Sequence, residues 1–207
     1  NATKFGDLIV ASFDGINCVG GTTRAFFGGG AQPSGWSDRV MVVNFASKGN
    51  CSDFNNLTEA RRDVTATGNS IKGIFAGGSN PSNAVVNTIQ QFIQSSLGDC
   101  IDFGDLTTTI KKSGPSQSPT RGLIGGGETP STTAVIDYIT FTTQGNALDF
   151  GDLTAATEYL SGNSNSTRGI FAGGNTGSVT NTITYVTIAS TSNSTDFGDL
   201  TQARQAL

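Results

Sequence analysis

Four aspartates recur at one phase of the chain, Asp7, Asp105, Asp152 and Asp199, each inside a Phe-Gly-Asp-Leu tetrapeptide. A ring of such carboxylates would be a metal site. The competing role is structural, with each aspartate capping a tight Gly-Asp turn by accepting from nearby backbone amides. Recurrence in nearly every copy, with Asn56 standing in once, favours the turn. Four cations, Arg24, Lys72, Arg121 and Arg168, recur in the same way. They would line an anion site near an axis or, as the structural alternative, pair with local carboxylates, which is the expectation here. The chain contains no histidine, which removes Ser-His-Asp triads, the commonest general base and most zinc and copper sites. Asp-Phe-Gly triplets at Asp102, Asp149 and Asp196 have no phosphate loop or catalytic loop beside them and carry no kinase chemistry. A two-carboxylate glycosidase needs a convergent pair. The remaining acids (Asp14, Asp38, Glu59, Asp63, Asp99, Glu128, Asp137, Glu158) are scattered along the chain, and no such pair is identifiable. The expectation is a protein that is not an enzyme and needs no cofactor or metal.

The elements that position these residues are repeats. Phe5, Phe54, Phe103, Phe150 and Phe197 open the tetrapeptide or its degenerate copy, at intervals of 49, 49, 47 and 47. A second motif keeps the same beat: Arg24–Gly30, Lys72–Gly78, Arg121–Gly127 and Arg168–Gly174, each closing on a glycine pair. From the Leu of one motif to the cation of the next is always 15 or 16 residues. In the last copy Thr182–Ile188 alternates with the period of a strand, Arg168–Gly174 is a short apolar run, Asp196–Leu200 starts another strand, and Tyr159–Gly162 supplies a fourth. Helical spacing is confined to Thr58–Asp63 and Thr201–Leu207, too short to stand alone. Four short strands per repeat of about 48 residues is the composition of a propeller blade. The expected fold is therefore all-β, a propeller of four blades spanning residues 9–58, 59–107, 108–154 and 155–201. Residues 1–8 form a redundant strand equivalent to 193–200.

The order glycine pair, tyrosine, aromatic, leucine, arginine resembles the kelch repeat. It reads Gly173-Gly174, Tyr185, Phe197, Leu200 and Arg204 in the fourth copy, and Gly126-Gly127, Tyr138, Phe150 and Leu153 in the third. The second copy has Gln91 at the tyrosine position, the first has Val42 there but keeps Arg61, and Phe replaces the usual Trp. The wording of the copies, Thr-Arg-Gly-Ile-Phe-Ala-Gly-Gly followed by Asp-Phe-Gly-Asp-Leu-Thr, is similar to repeats in phage tail and appendage proteins. That resemblance implies a virion-surface or extracellular structural protein. It would support assembly or contact a host-surface glycan. The alternative is a secreted protein polymerising into extracellular fibres, with a carbohydrate-active enzyme third.

In a propeller the loops joining second and third strands gather on one face. The first, Ala31–Arg39, holds the single tryptophan, Trp36, beside Asp38; the later ones begin at Glu128 and Asn175. Trp36, Asp38, Glu128 and Asn175 are the candidate binding residues, with Trp36 either a sugar-stacking anchor or a cover for its own blade.

Bulk properties agree with that class. Charged residues are 14% and the net charge is −4, which excludes a nucleic-acid partner needing a basic face. No apolar run reaches membrane-span length, and no signal peptide is visible. Cys18, Cys51 and Cys100 are expected as free, partly buried thiols, since Cys51 and Cys100 occupy equivalent sites in neighbouring repeats. Sequons at Asn1, Asn50, Asn56, Asn165 and Asn193 match the chance expectation. An open sheet edge at the duplicated ends predicts a homo-oligomer or contact with other structural subunits.

Overall fold

The computed structural model describes residues 2–12 and 14–206. Among these there is no helix, and four antiparallel four-stranded sheets form a four-bladed propeller arrangement. The first sheet contains β1 (Asn17–Gly20), β2 (Arg24–Gly28), β5 (Arg39–Asn44) and β6 (Ser52–Asn56). A small hairpin, β3 (Ala31–Gln32) and β4 (Gly35–Trp36), interrupts it between β2 and β5. The second holds β7 (Thr65–Gly68), β8 (Lys72–Ala76), β9 (Thr88–Ile93) and β10 (Ile101–Asp105). The third holds β11 (Gly114–Gln117), β12 (Arg121–Gly125), β13 (Val135–Thr140) and β14 (Leu148–Asp152). The fourth holds β15 (Ser161–Ser164), β16 (Arg168–Ala172), β17 (Thr182–Thr187) and β18 (Thr195–Asp199). The innermost strand of the last copy thus begins two residues later than its apolar signal suggested.

Glycine pairs join the sheets near the axis. At Gly77 and Gly78 φ is 63° and 90°, conformations that cost an L side chain energy. A Cβ on Gly77 would stand 2.3 Å from the Ile110 carbonyl oxygen, so a side chain would push the next blade away. The second glycine of every pair then donates to the chain entering the following blade: Gly30 to Arg61 O, Gly78 to Ile110 O, Gly127 to Thr157 O and Gly174 to Arg204 O, all within 2.7–2.9 Å. Innermost strands carry small polar residues because they nearly touch. Thr67 Oγ1 donates to Ser116 O at 3.4 Å, Ser116 Oγ to Asn163 O at 3.1 Å, and the Gln117 amide to Ser164 Oγ at 3.1 Å.

The Phe-Gly-Asp-Leu motifs at Phe103, Phe150 and Phe197 are outer strands with a bulge. The pairing shifts register between Asp102 and Gly104, and Gly104, Gly151 and Gly198 take φ of 151°, 141° and 139°. The bulge turns the preceding Phe toward the next sheet. The Gly-Asp turn expected from the sequence is not formed. The Asp105 amide donates to Asn146 Oδ1 at 3.0 Å, and Asp152 repeats this with Asn193 at 3.0 Å. It is the aspartate ahead of the Phe whose carboxylate caps the bulge, as Asp149 does for the Gly151 amide at 3.1 Å. The recurrent cations also differ from expectation, for none of the four pairs with a carboxylate among the described residues. Arg121 and Arg168 stack over Tyr138 and Tyr185 at 4.7 and 4.5 Å, Arg24 over Phe26 at 5.6 Å, and Lys72 over Phe103 at 5.7 Å. Each cation lies over an aromatic ring, and Arg24 and Arg121 also donate to carbonyls of the next blade, Gln94 O and Ile188 O, the latter at 2.9 Å from Arg121 Nη1.

Three apolar clusters fill the three interfaces between successive sheets, each a mixture of both neighbours. Phe103 and Leu106 of one blade meet Phe141 and Ala147 of the next. Cys100 lies in the first interface, where burial pushes its thiol up to about 12 with help from Asp99. All three cysteines are free, although Cys18 is exposed rather than partly buried. The innermost strands pack in the order β1, β7, β11, β15, and β15 makes no comparable contact with β1. A seam separates the fourth sheet from the first.

Residues 2–8 do not form the expected strand. They run extended and keep only the outward half of the bonding, with Gly49 N on Phe5 O at 3.1 Å and Cys51 N on Asp7 O at 2.8 Å. Among the described residues no strand lies beside them to complete a sheet. The energetic asymmetry is testable. Phe103→Ala is expected to cost about 3–5 kcal/mol in urea unfolding, whereas Phe197→Ala, at a site 55% exposed, is expected to cost under about 1 kcal/mol. Equal losses would mean that the seam is closed in solution.

Candidate functional site: the axial mouth

One residue just ahead of each innermost strand, and a fifth beyond the last sheet, is held at positive φ: Gly15 (64°), Asp63 (56°), Lys112 (60°), Tyr159 (54°) and Ala206 (54°). Consecutive members are hydrogen-bonded. Asp63 N donates to Gly15 O at 3.1 Å, Lys112 N to Asp63 O at 3.3 Å, Tyr159 N to Lys112 O at 2.9 Å and Ala206 N to Tyr159 O at 2.9 Å. The backbone is therefore fixed while the side chain is free to vary, and these five positions share no residue type. They encircle a cavity of about 370 Å³ whose wall also includes Ser12, Asp14, Asn17 and Ser113. The glycine-turn end of the axis has a second opening of similar volume, lined by turn residues such as Asn69, Ser118 and Asn165.

Charges at the mouth are compensated in two groups. Lys112 Nζ donates to Glu128 Oε2 and, at 3.1 Å, to Glu158 Oε2, with the Tyr159 ring 4.5 Å away. Burial works against this ammonium, but its hydrogen bonds to Glu128, Tyr159 and Glu158 outweigh it and hold its pKa above the ordinary lysine value. The Glu128 carboxyl is correspondingly held below its usual range, first by Lys112. In the other group Arg62 bridges Asp14 at 3.3 Å and Asp63 at 3.7 Å. Burial and the nearby Asp14 push the Asp63 carboxyl up, against the pull of Arg62, Lys112 and Lys111. Among the described residues no set of three Cys, Asp or Glu side chains is placed to hold a metal ion.

Of the expected binding residues, Trp36, Glu128 and Asn175 rim this face. Trp36 is half-buried on the hairpin, and one side of its ring is occupied by the Arg62 guanidinium at 4.8 Å. Glu128 faces Lys112, and Asn175 bridges to Glu158 by backbone pairing, while its carboxamide accepts from Gly177 N at 2.8 Å. Asp38 is exposed and joins the next segment only through its carbonyl, which accepts from Leu57 N at 2.6 Å. Asp14, Asp63, Glu128 and Glu158, scattered in sequence, converge here on two cations. Lys112 and Tyr159 were not singled out by the sequence. Their signal is a variable column at fixed phase, immediately before an innermost strand. Asn50 and Asn193 spend their side-chain oxygens on the amides of Asp7 and Asp152, and Asn165 caps its own turn. Asn56 is exposed, and Asn1 lies outside the described residues.

Compared with known proteins, the chain matches no family model and no curated protein. The kelch resemblance therefore rests on the repeat residues alone.

Stability at the mouth has a definite pH signature. Glu128's depressed pKa contributes stability that is present above its unfolded value and lost as pH falls through its folded one. Lys112's raised pKa contributes stability present below its unfolded value and lost as pH rises through its folded one. Asp63's raised pKa has the opposite sign to Glu128, so its ionisation costs stability as pH rises. Lys112→Met is expected to lose about 1.5–3 kcal/mol at neutral pH. Chemical denaturation over a pH series should show that deficit shrinking on acidification through the carboxylate range, and a deficit independent of pH would remove Lys112 from the cluster.

Proposed function

We propose that this chain is a non-enzymatic structural and binding module of the kelch-like, phage-appendage kind, working at a virion surface or extracellularly and engaging a host-surface glycan at the axial mouth. The observation that carries this reading is the division between fixed and variable positions. Glycine pairs, bulges, stacked cations and outer-strand phenylalanines recur because they join blades. Residues that differ between repeats meet around one polar cavity. Its wall offers hydroxyls (Ser12, Ser113), a carboxamide (Asn17), carboxylates and the Tyr159 ring, the mixture of stacking surface and polar groups that a sugar requires.

Catalysis fits this mouth poorly. Each carboxylate pair is bridged by a cation, and a glycosidase needs one carboxyl held protonated opposite a free partner. Glu128 is driven the other way, toward its ionised form, first by its hydrogen bond with Lys112.

The second reading, a subunit that assembles through its ends, is favoured by a separate observation. Phe5, Phe45 and Phe197 are 42%, 52% and 55% exposed, and all three flank the seam. A glycan array and a host-cell binding assay separate the two. Tyr159→Ala and Trp36→Ala are expected to weaken binding by at least about tenfold without changing the fold. An unchanged array profile in both variants would leave assembly as the function.

A further inference from the structure

The repeat bonding extends one step beyond the four sheets at both ends. Along the axis there are five hydrogen-bonded positions for four blades, and the fifth, Ala206, occupies its own place on the cavity wall beside Gly15. In a ring closed by these four sheets alone the fifth position would coincide with the first. At the periphery there are five Phe-Gly-Asp-Leu segments and four clamps. The clamp is one or two backbone donors and an asparagine or aspartate oxygen from the following blade. Gly145 N and Ala147 N bond Phe103 O and Asp105 O, while Asn146 Oδ1 accepts from Asp105 N. Phe5–Leu8 is held by the same clamp, formed by Gly49, Asn50 and Cys51. Phe197–Leu200 is held by none among the described residues.

Side-chain burial follows the same boundary. Ile74, Ile89, Phe103 and Leu106 are at most 3% exposed on the trailing face of the second blade, and Leu123, Ile136, Phe150 and Leu153 at most 6% on that of the third. Their counterparts on the fourth, Ile170, Ile183 and Leu200, are only partly covered, and Phe197 is 55% exposed. On the other side of the seam, Phe27 and Val43 are partly covered and Phe45 is open, whereas their counterparts Phe75, Phe92, Ile124, Ile139 and Phe141 are buried. The three internal interfaces show what covers such faces, which is a neighbouring sheet of the same repeat.

We propose that the seam is the seat of a fifth sheet, in which Phe5–Leu8 is the outer strand and the three inner strands are a further unit of this chain's own repeat. In each complete repeat, what lies between an axial lead-in such as residues 153–159 and the outer strand is three strands and a clamp. Residues 200–206 already hold the lead-in position: Leu200 N donates to Asn181 O at 2.7 Å and Ala206 N to Tyr159 O at 2.9 Å. The outer strand is likewise already seated on blade one. A whole second copy suits the seam less well, because its residues 8–15 and the first copy's residues 200–206 are equivalent and would compete for one landing. The interface rests on the assembly reading above and not on the glycan reading, so its test contains no sugar.

The test joins a second copy of residues 161–194, a unit of three strands and a clamp, to the C-terminus of the 207-residue chain, where it follows the lead-in at residues 200–206. Thermal unfolding of the extended chain should rise by at least about 5 °C over that of the chain alone, and light scattering should show a monomer. Phe197→Asp should abolish that gain in the extended chain while circular dichroism and thermal unfolding of the unextended chain stay unchanged, since that side chain is exposed. Asn193→Ala in the added copy should reduce the gain by less, by removing one clamp hydrogen bond to Asp199. An extended chain no more stable than the original would overturn the proposal, as would a gain insensitive to Phe197→Asp. Self-association of the unextended chain through Phe197 would overturn it in favour of a second copy.

Discussion

Everything in this molecule depends on one sheet docking against the next. A single four-stranded blade has two faces and a thin edge toward the axis, and it cannot bury both faces within itself. The three apolar clusters are all shared between neighbours, so stability is stored at the interfaces rather than inside the blades. Close approach at the axis is what makes those interfaces possible. It is achieved by removing side chains at the glycine pairs and letting the freed amide reach the carbonyl of the incoming chain. Ser and Thr on the innermost strands follow from the same closeness, because only short side chains fit and their hydroxyls find the neighbour's backbone.

That constraint explains which parts of the structure were legible in the sequence. Repeats that must dock identically must repeat the docking residues, so Phe103, Phe150 and the glycine pairs announced both the period and the all-β propeller. Local chemistry was less legible where two readings shared one residue type. Asp105 and Asp152 looked like turn caps because Gly-Asp is a turn sequence. In the structure the glycine serves a bulge, and the aspartate contributes its backbone amide to an asparagine some forty residues ahead. Arg121 and Arg168 looked like ion-pair partners, yet each pairs across the strand with a threonine and lies diagonal to a tyrosine, a placement set by register rather than by anything local to the cation.

The axial mouth was the least legible feature, for a related reason. Its residues are the ones the repeat leaves unconstrained. Lys112 and Tyr159 share a position with Gly15, Asp63 and Ala206, and only the positive φ and the carbonyl-to-amide chain connect them. Asp14, Asp63, Glu128 and Glu158 looked scattered because they lie tens of residues apart. The propeller brings equivalent positions together around its axis, so distance along the chain says nothing about distance at the mouth. Comparing the copies column by column, and marking where residue type changes while phase does not, would have found this site without coordinates.

The same division between fixed and free positions bears on how specificity could arise on such a scaffold. Changing a docking residue alters an interface between two sheets and is opposed by the stability stored there. Changing an axial residue alters charge or shape at the mouth while its backbone stays bonded to both neighbours. Lys112 illustrates the limit of that freedom: although its position is variable, it has acquired Glu128 and Glu158 as partners, and burial now makes the three depend on one another. Ala206 carries no such obligation, whereas Tyr159 is engaged by Lys112 and a Cβ on Gly15 would stand 2.4 Å from Asp63 N. A ligand-driven change in recognition would therefore enter most easily through Ala206, leaving the blade interfaces, and the fold they maintain, untouched.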